Sequence, residues 1–219
     1  MEPRSYGGET AQERRTRRRA ALAEAALDLF AEGGLNQVTK RNVCTRARLN
    51  DRYFYEHFTD RDALLESVAQ DMTAQGLEAV VTATMEAPPG IEAQIHAAVE
   101  ASLAFLAADP RRGKMLMEAR SAESVEKLRL ASTRMIANAM SAMTRELLGG
   151  SAPIQLDSDL ASFTMVSGVM ELVAAWLRGE IDTSREHLTD LIAALLLSTA
   201  DISTKLPGVG PGGSDHGSR

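Results

Sequence analysis

Lys40, Arg41, Arg46, Arg48 and Arg52 crowd into residues 39–52 beside a single acid, Asp51. Upstream, Arg14, Arg15, Arg17, Arg18 and Arg19 form a second basic cluster. Cations at this density attract a polyanion, and guanidinium groups can bond phosphates or base edges. The formal net charge of −6 at first argues against a nucleic-acid partner. Its distribution reverses that impression. Residues 1–62 hold 12 Lys/Arg against 10 Asp/Glu, whereas the rest of the chain holds 12 against 20. One end attracts a polyanion and the remainder repels it.

Short helices are needed to bring these side chains to one surface. From about 12 to 32, Leu22, Ala25, Ala26, Leu29 and Phe30 recur at the spacing of one helix face, and Gly33-Gly34 ends the run. Thr39 is a good N-cap for a second helix through about Ala47, with Val43 facing inward. Arg48-Leu49 leaves room only for a tight turn. Asn50 then caps a third helix, about 51–57, that turns Phe54 and Phe58 to the core. Thr59 or Asp60 caps a fourth, which carries Leu64, Leu65, Val68 and Met72 on one side. Two short helices joined by so brief a turn make a helix-turn-helix, the third helix of a size to enter a major groove.

Beyond it, helical segments are predicted to about 85 and at about 91–108, 111–119, 121–148, 157–179 and 184–204. Pro88-Pro89-Gly90, Asp109-Pro110 and Gly149-Gly150 punctuate them. Aromatic residues make up only 4% and no segment alternates as a strand would, so the fold class is all-α. The expected organisation is a disordered N-terminus (1–11), a helix-turn-helix DNA-binding domain (12–58), a second helical domain (59–204) and a disordered tail (205–219). No run of eighteen apolar residues is seen, so no membrane span is expected. The N-terminus has no apolar core of a secretory signal, and a lone cysteine, Cys44, fits a reducing cytoplasm.

The segment at 157–179 carries two apolar stripes, Phe163-Val166-Met170-Val173-Leu177 and Met165-Val169-Leu172-Trp176. A helix apolar on two sides must be covered on two sides. One cover is its own domain. The other is expected to be a second subunit, with Met165, Val169, Leu172, Trp176, Leu191 and Leu195 in a four-helix interface about a two-fold axis.

The run Leu22-x-x-Ala25-Ala26-x-x-Leu29-Phe30-x-x-Gly33-Gly34-Leu35-x-x-Val38-Thr39 resembles the first helix and turn of TetR-family regulators. Val43-Cys44-x-x-Ala47-Arg48-Leu49-Asn50-x-x-x-Phe54-Tyr55-x-His57-Phe58-x-x-Arg61-x-x-Leu64 continues the likeness over about 45 residues. Gly168-x-x-x-Leu172-x-x-x-Trp176-Leu177-x-Gly179 is similar to the family's penultimate helix. The resemblance implies that Thr39, Tyr55, His57 and Arg61 meet backbone phosphates, and that Asp51, Arg52 and Tyr53 face base edges. With Lys40, Arg41, Arg46, Arg48 and Asn50 these form the candidate DNA-binding set. Arg48 replaces the family's usual glycine, at a cost of about 1 kcal/mol if the turn needs a positive φ. Cys44, where Ala is typical, is read as a small buried packing residue.

The same resemblance implies an unidentified, partly apolar small-molecule effector bound within helices of about 60–180. The two-fold homodimer implies a palindromic double-stranded DNA operator, and repression is expected because occupying a promoter needs no further contact surface. Candidate pocket residues are His96, Glu100, Phe105, Glu118, Arg120 and Asn138. Met72, Met85, Met115, Met117, Met135, Met140, Met143, Met165 and Met170 suggest an adaptable interior. The four histidines lack metal-ligand spacing, and neither a phosphate loop nor a nucleophile motif occurs, so no metal, cofactor or enzymatic activity is expected. The alternative is a helical protein-interaction module with no specific operator.

Overall fold

The computed structural model describes residues 10–118, 123–149 and 154–199. Within them the chain forms α1 (Ala11–Gly33), a 3-10 turn (Leu35–Gln37), α2 (Lys40–Ala47), α3 (Asp51–Tyr55), α4 (Arg61–Glu86), α5 (Ile91–Ala108), α6 (Pro110–Glu118), α7 (Glu123–Leu148), α8 (Gln155–Leu177) and α9 (Arg185–Thr199). No strand occurs among the described residues, as the all-α expectation required. The segments 1–9 and 200–219 lie outside them, and with them most of the predicted disorder; Thr10 and Ala11, placed in the disordered N-terminus by the sequence, instead cap and begin α1.

Local chemistry sets the helix ends. Thr10 and Glu13 form a reciprocal capping box at the start of α1. Gly34, at φ 68°, turns the chain out of α1. Asp60, not Thr59, caps α4, its carboxylate accepting from the Ala63 N–H at 2.8 Å. The first core lies in the head: Leu22, Phe30, Val38, Val43, Phe54, Phe58, Leu64 and Leu65 are buried together. Each such side chain contributes about 1.5–3 kcal/mol when fully buried. Met115 of α6 completes this core from the second unit.

α4 leaves the head and runs on into the second unit. There Val99 and Leu103 of α5 pack with Val173 of α8 and Leu188 and Ile192 of α9. By length and composition alone α5 and α8 are apolar enough to cross a membrane, although charged residues such as Glu100 and Glu171 interrupt both. Their surroundings explain it: α5 meets α4 and α9, α8 meets α7, and both wall an internal cavity. A helix with packed neighbours on several sides is apolar on several sides.

Candidate nucleic-acid interface and internal cavity

The turn between α2 and α3 is a Schellman motif. The Arg48 N–H donates to the Thr45 carbonyl at 3.2 Å, and the Leu49 N–H to the Cys44 carbonyl at 2.9 Å. Arg48 itself sits at φ 55°, ψ 40°, the left-handed region that favours glycine. Thr39 caps α2, its hydroxyl accepting from the Asn42 N–H at 3.2 Å. Asn50 caps α3 more loosely, accepting from Tyr53 at 3.4 Å. α3 is anchored by buried Phe54, whose ring meets Tyr55 edge-on and tilts against Phe58. The outer surface thereby presents Thr39, Arg41, Arg48, Asn50, Asp51, Arg52 and Tyr55.

Ion pairing separates the basic residues into two groups. Arg46 is held away from the outer face by a bidentate pair to Glu32 of α1 at 2.8 and 2.7 Å, with Asp28 at 3.6 Å. The hydrogen bonds to Glu32 raise the Arg46 pKa further and lower that of Glu32. Arg46 therefore supports the α1–α2 packing, a role the spacing did not separate from DNA contact. Lys40 pairs with Asp51 at 2.6 Å and lies over the Tyr55 ring, 5.1 Å from its centroid. Arg52, 84% exposed, reaches Glu56 at 3.2 Å. Arg61 pairs with Asp62 at 3.0 Å. Arg41 and Arg48 have no side-chain ion pair among the described residues and stand open to an anion.

The upstream cluster serves the interior as well. The Arg18 guanidinium lies 4.6 Å from the Tyr53 ring centroid and 3.6 Å from Glu56, bracing α3 from α1. Arg19 bonds Asp71 at 3.1 Å and Ser67 at 2.5 Å, bracing α4. His57 is partly buried, and its Nε2 has no hydrogen-bond partner among the described residues. Burial, then the charges of Arg15 and Arg18, hold its pKa below the ordinary imidazole range. Cys44 is buried and its thiol is pushed up, first by burial and then by Asp51, which keeps it protonated.

Residues 22–68 match the family described as bacterial regulatory proteins, tetR family. Over those residues the chain is similar to that family. It is 31% identical over 77 residues to the HTH-type transcriptional regulator BetI of Klebsiella pneumoniae (strain 342), a stretch covering 35% of this chain and 40% of that protein. The fold likeness extends much further. A putative transcriptional regulator from Pseudomonas aeruginosa PAO1 superposes with a TM-score of 0.67 at 19% identity, over 86% of this chain and 94% of the other. FadR from Bacillus subtilis, solved in complex with stearoyl-CoA, superposes with a TM-score of 0.67 at 20% identity, over 82% and 97%. At about 20% identity these likenesses show a shared helical fold.

A cavity of about 330 Å³ lies between α4, α5, α7, α8 and α9. Leu77, Val80, Ile95, Phe105, Met140 and Met170 are among its largely apolar walls. Gly76 lets the Phe105 ring approach α4; a Cβ there would stand 3.3 Å from that ring. Of the six pocket candidates, Phe105 lines this cavity. His96 and Glu100 instead face α9, His96 paired with Asp190 at 3.1 Å and Glu100 with Arg185 at 3.1 Å. Asn138 is exposed on α7. The Glu118 side chain and Arg120 lie outside the described residues. The 3.6-residue period places residues on one helix face but does not say which neighbour covers it, and α9 covers the face of α5 that carries His96.

The α8 stripes differ from expectation for the same reason. Met165 and Val169 turn inward to the cavity, and Leu172 and Trp176 pack against the α5–α8–α9 core, with the Trp176 indole donating to the Thr183 carbonyl at 2.9 Å. The exposed large apolar residues of α8 are Leu156, Leu160 and Phe163, and those of α9 are Leu191 and Leu195. Sequence reasoning also missed Arg129, a cation on the otherwise uncharged, cavity-lining stripe of α7 that includes Ile136, Met140 and Met143.

Proposed function

We propose that the protein is a repressor that binds a palindromic operator as a homodimer and is released when a small molecule fills the cavity. The observation that carries this reading is the double duty of α4. Its first turns close the core of the DNA-reading head, and its later turns, from Ala69 to Thr84, wall the cavity. α6 supports it from a second side. Arg111 bonds Glu24 at 2.6 Å and Asp28 at 2.5 Å on α1, and the Lys114 ammonium donates to the Ala31 carbonyl. A ligand that alters the packing of α4 or α6 therefore alters how the head is carried. FadR from Bacillus subtilis, which shares the architecture, was solved with stearoyl-CoA. The subunit partner is a second copy, seated on Leu156, Leu160 and Phe163 of α8 and Leu191 and Leu195 of α9. Two heads related by a two-fold axis then read half-sites ~34–36 Å apart. Thr39, Arg41, Arg48, Tyr55 and, after local rearrangement, Lys40, His57 and Arg61 meet phosphates. Arg52, Asp51, Tyr53 and Asn50 face the bases. Repression needs only promoter occupancy, and the reducing cytoplasm is where such a regulator meets its DNA.

Selection of bound sequences from random duplexes tests the reading. Recovery of a palindrome bound by two chains supports it, and recovery of no palindromic motif overturns it. A titration at two salt concentrations separates it from a protein-interaction module, because DNA binding must weaken steeply with salt.

A further inference from the structure

The cavity is long for its volume and nearly without charge. Its lining positions run from Ala69 to Thr84 on α4 and from Arg129 to Thr144 on α7. At 1.5 Å per residue each span is about 22 Å. A cavity of about 330 Å³ drawn out over that distance suits a single extended chain better than a broad ring system. Its hydroxyls offer such a chain little polarity. Thr73, Thr84 and Ser102 each donate to a carbonyl one turn back on their own helix, at 2.7, 2.8 and 2.8 Å. Among the described lining residues one is charged: Arg129 stands in the wall, partly buried and without an ion pair among the described residues. It lies one turn from Ser132, whose hydroxyl oxygen is 3.1 Å from that of Thr73. A guanidinium in an apolar wall gains most from a partner that is itself charged, planar and able to take two hydrogen bonds.

We propose that the cavity binds a straight-chain aliphatic carboxylate, its chain along α4 and its head paired with Arg129. The proposal rests on the reading of the cavity as an effector site and names its ligand class. One cation balances one carboxylate. A nucleotide thioester carries several phosphates, and no second cationic side chain is among the described residues that line the cavity.

Calorimetry on the full chain tests this with octanoate, dodecanoate and hexadecanoate, their methyl esters, and hexadecanoyl-CoA. Affinity for the carboxylates should rise up to about fourfold per added methylene until the cavity is full. The esters should bind at least tenfold more weakly. Arg129→Gln should bring the carboxylates down to the ester level and leave the esters unchanged, while Arg129→Lys retains part of the difference. The acid–ester comparison in the unaltered protein needs no variant to fold. Equal binding of acids and esters, unchanged carboxylate affinity in a folded Arg129→Gln protein, or preference for the thioester would each overturn the proposal. Operator affinity, followed separately by fluorescence anisotropy, keeps the two readings apart. Carboxylates that bind the cavity without weakening DNA binding would sustain the ligand class and sink the effector role. A different compound that fills the cavity and releases DNA, where carboxylates do not bind, would do the reverse.

Discussion

Replacing Arg48 by glycine separates a backbone cost from a DNA contact at one position. Arg48 adopts φ 55° because the Schellman turn between α2 and α3 leaves no other way to satisfy the carbonyls of Cys44 and Thr45. A non-glycine residue is held there at about 1 kcal/mol relative to glycine. Its side chain is exposed and has no ion pair among the described residues, so little offsets that cost in the free protein. Arg48→Gly should therefore raise the melting temperature, by about 2–4 °C for a chain of this size. If Arg48 meets a phosphate, the same variant should bind operator more weakly. One lost contact flattens the slope of log K against log salt by about 0.9, which is about eightfold in affinity per subunit at ~0.1 M salt. Differential scanning calorimetry reads the first effect and anisotropy titrations across salt concentrations read the second. A melting temperature that stays level or falls would refute the strain argument. A raised melting temperature with unchanged operator affinity would refute the phosphate contact and leave the strain argument standing.

Three further perturbations follow from the ion pairs and the buried histidine. Arg111→Ala leaves Glu24, Asp28 and Asp109 without their shared cation; with Arg111 only 29% exposed, it should lose about 2 kcal/mol by chemical denaturation, and a loss near zero would show that α6 is not held to α1 this way. Because His57 is held below its ordinary pKa, the unfolded chain takes up a proton first as pH falls through about 6.5. Stability should fall from there down to the folded-state pKa, and the drop should be shallower in His57→Gln; parallel melting-temperature profiles for the two proteins would contradict this. Asp51→Asn removes the acid that holds Lys40 at 2.6 Å and should strengthen binding to random duplex with a steeper salt slope; unchanged binding would mean that Lys40 does not reach DNA.

Much of the head was legible from local signals. Gly34 after α1, Thr39 before α2 and Asn50 before α3 satisfy or redirect the backbone within a few residues, so side-chain type alone betrays them. The capping box of Thr10 and Glu13 carries the same kind of signal, though α1 was expected to begin one residue later, at 12. The positive φ of Arg48 was open as a condition, raised by the glycine usual at that place in the family the chain resembles. The division of labour among the basic residues was not legible. Arg46 and Arg48 are two residues apart and chemically alike; one is clamped to Glu32 and Asp28 across an interhelical gap and the other is left open.

The sequence by itself determined the all-α class, the helix-turn-helix and the basic face, because hydrogen bonding within a helix and the hydrophobic period are local. Only the tertiary structure decided which apolar stripe of α8 looks inward, that His96 and Glu100 face α9, and that Arg129 stands in the wall of the cavity. Those outcomes depend on which helix packs against which face. That choice is made by contacts between residues far apart in the chain, such as Thr73 with Ser132 or Gly113 with Leu177. No window of sequence contains both members of such a pair.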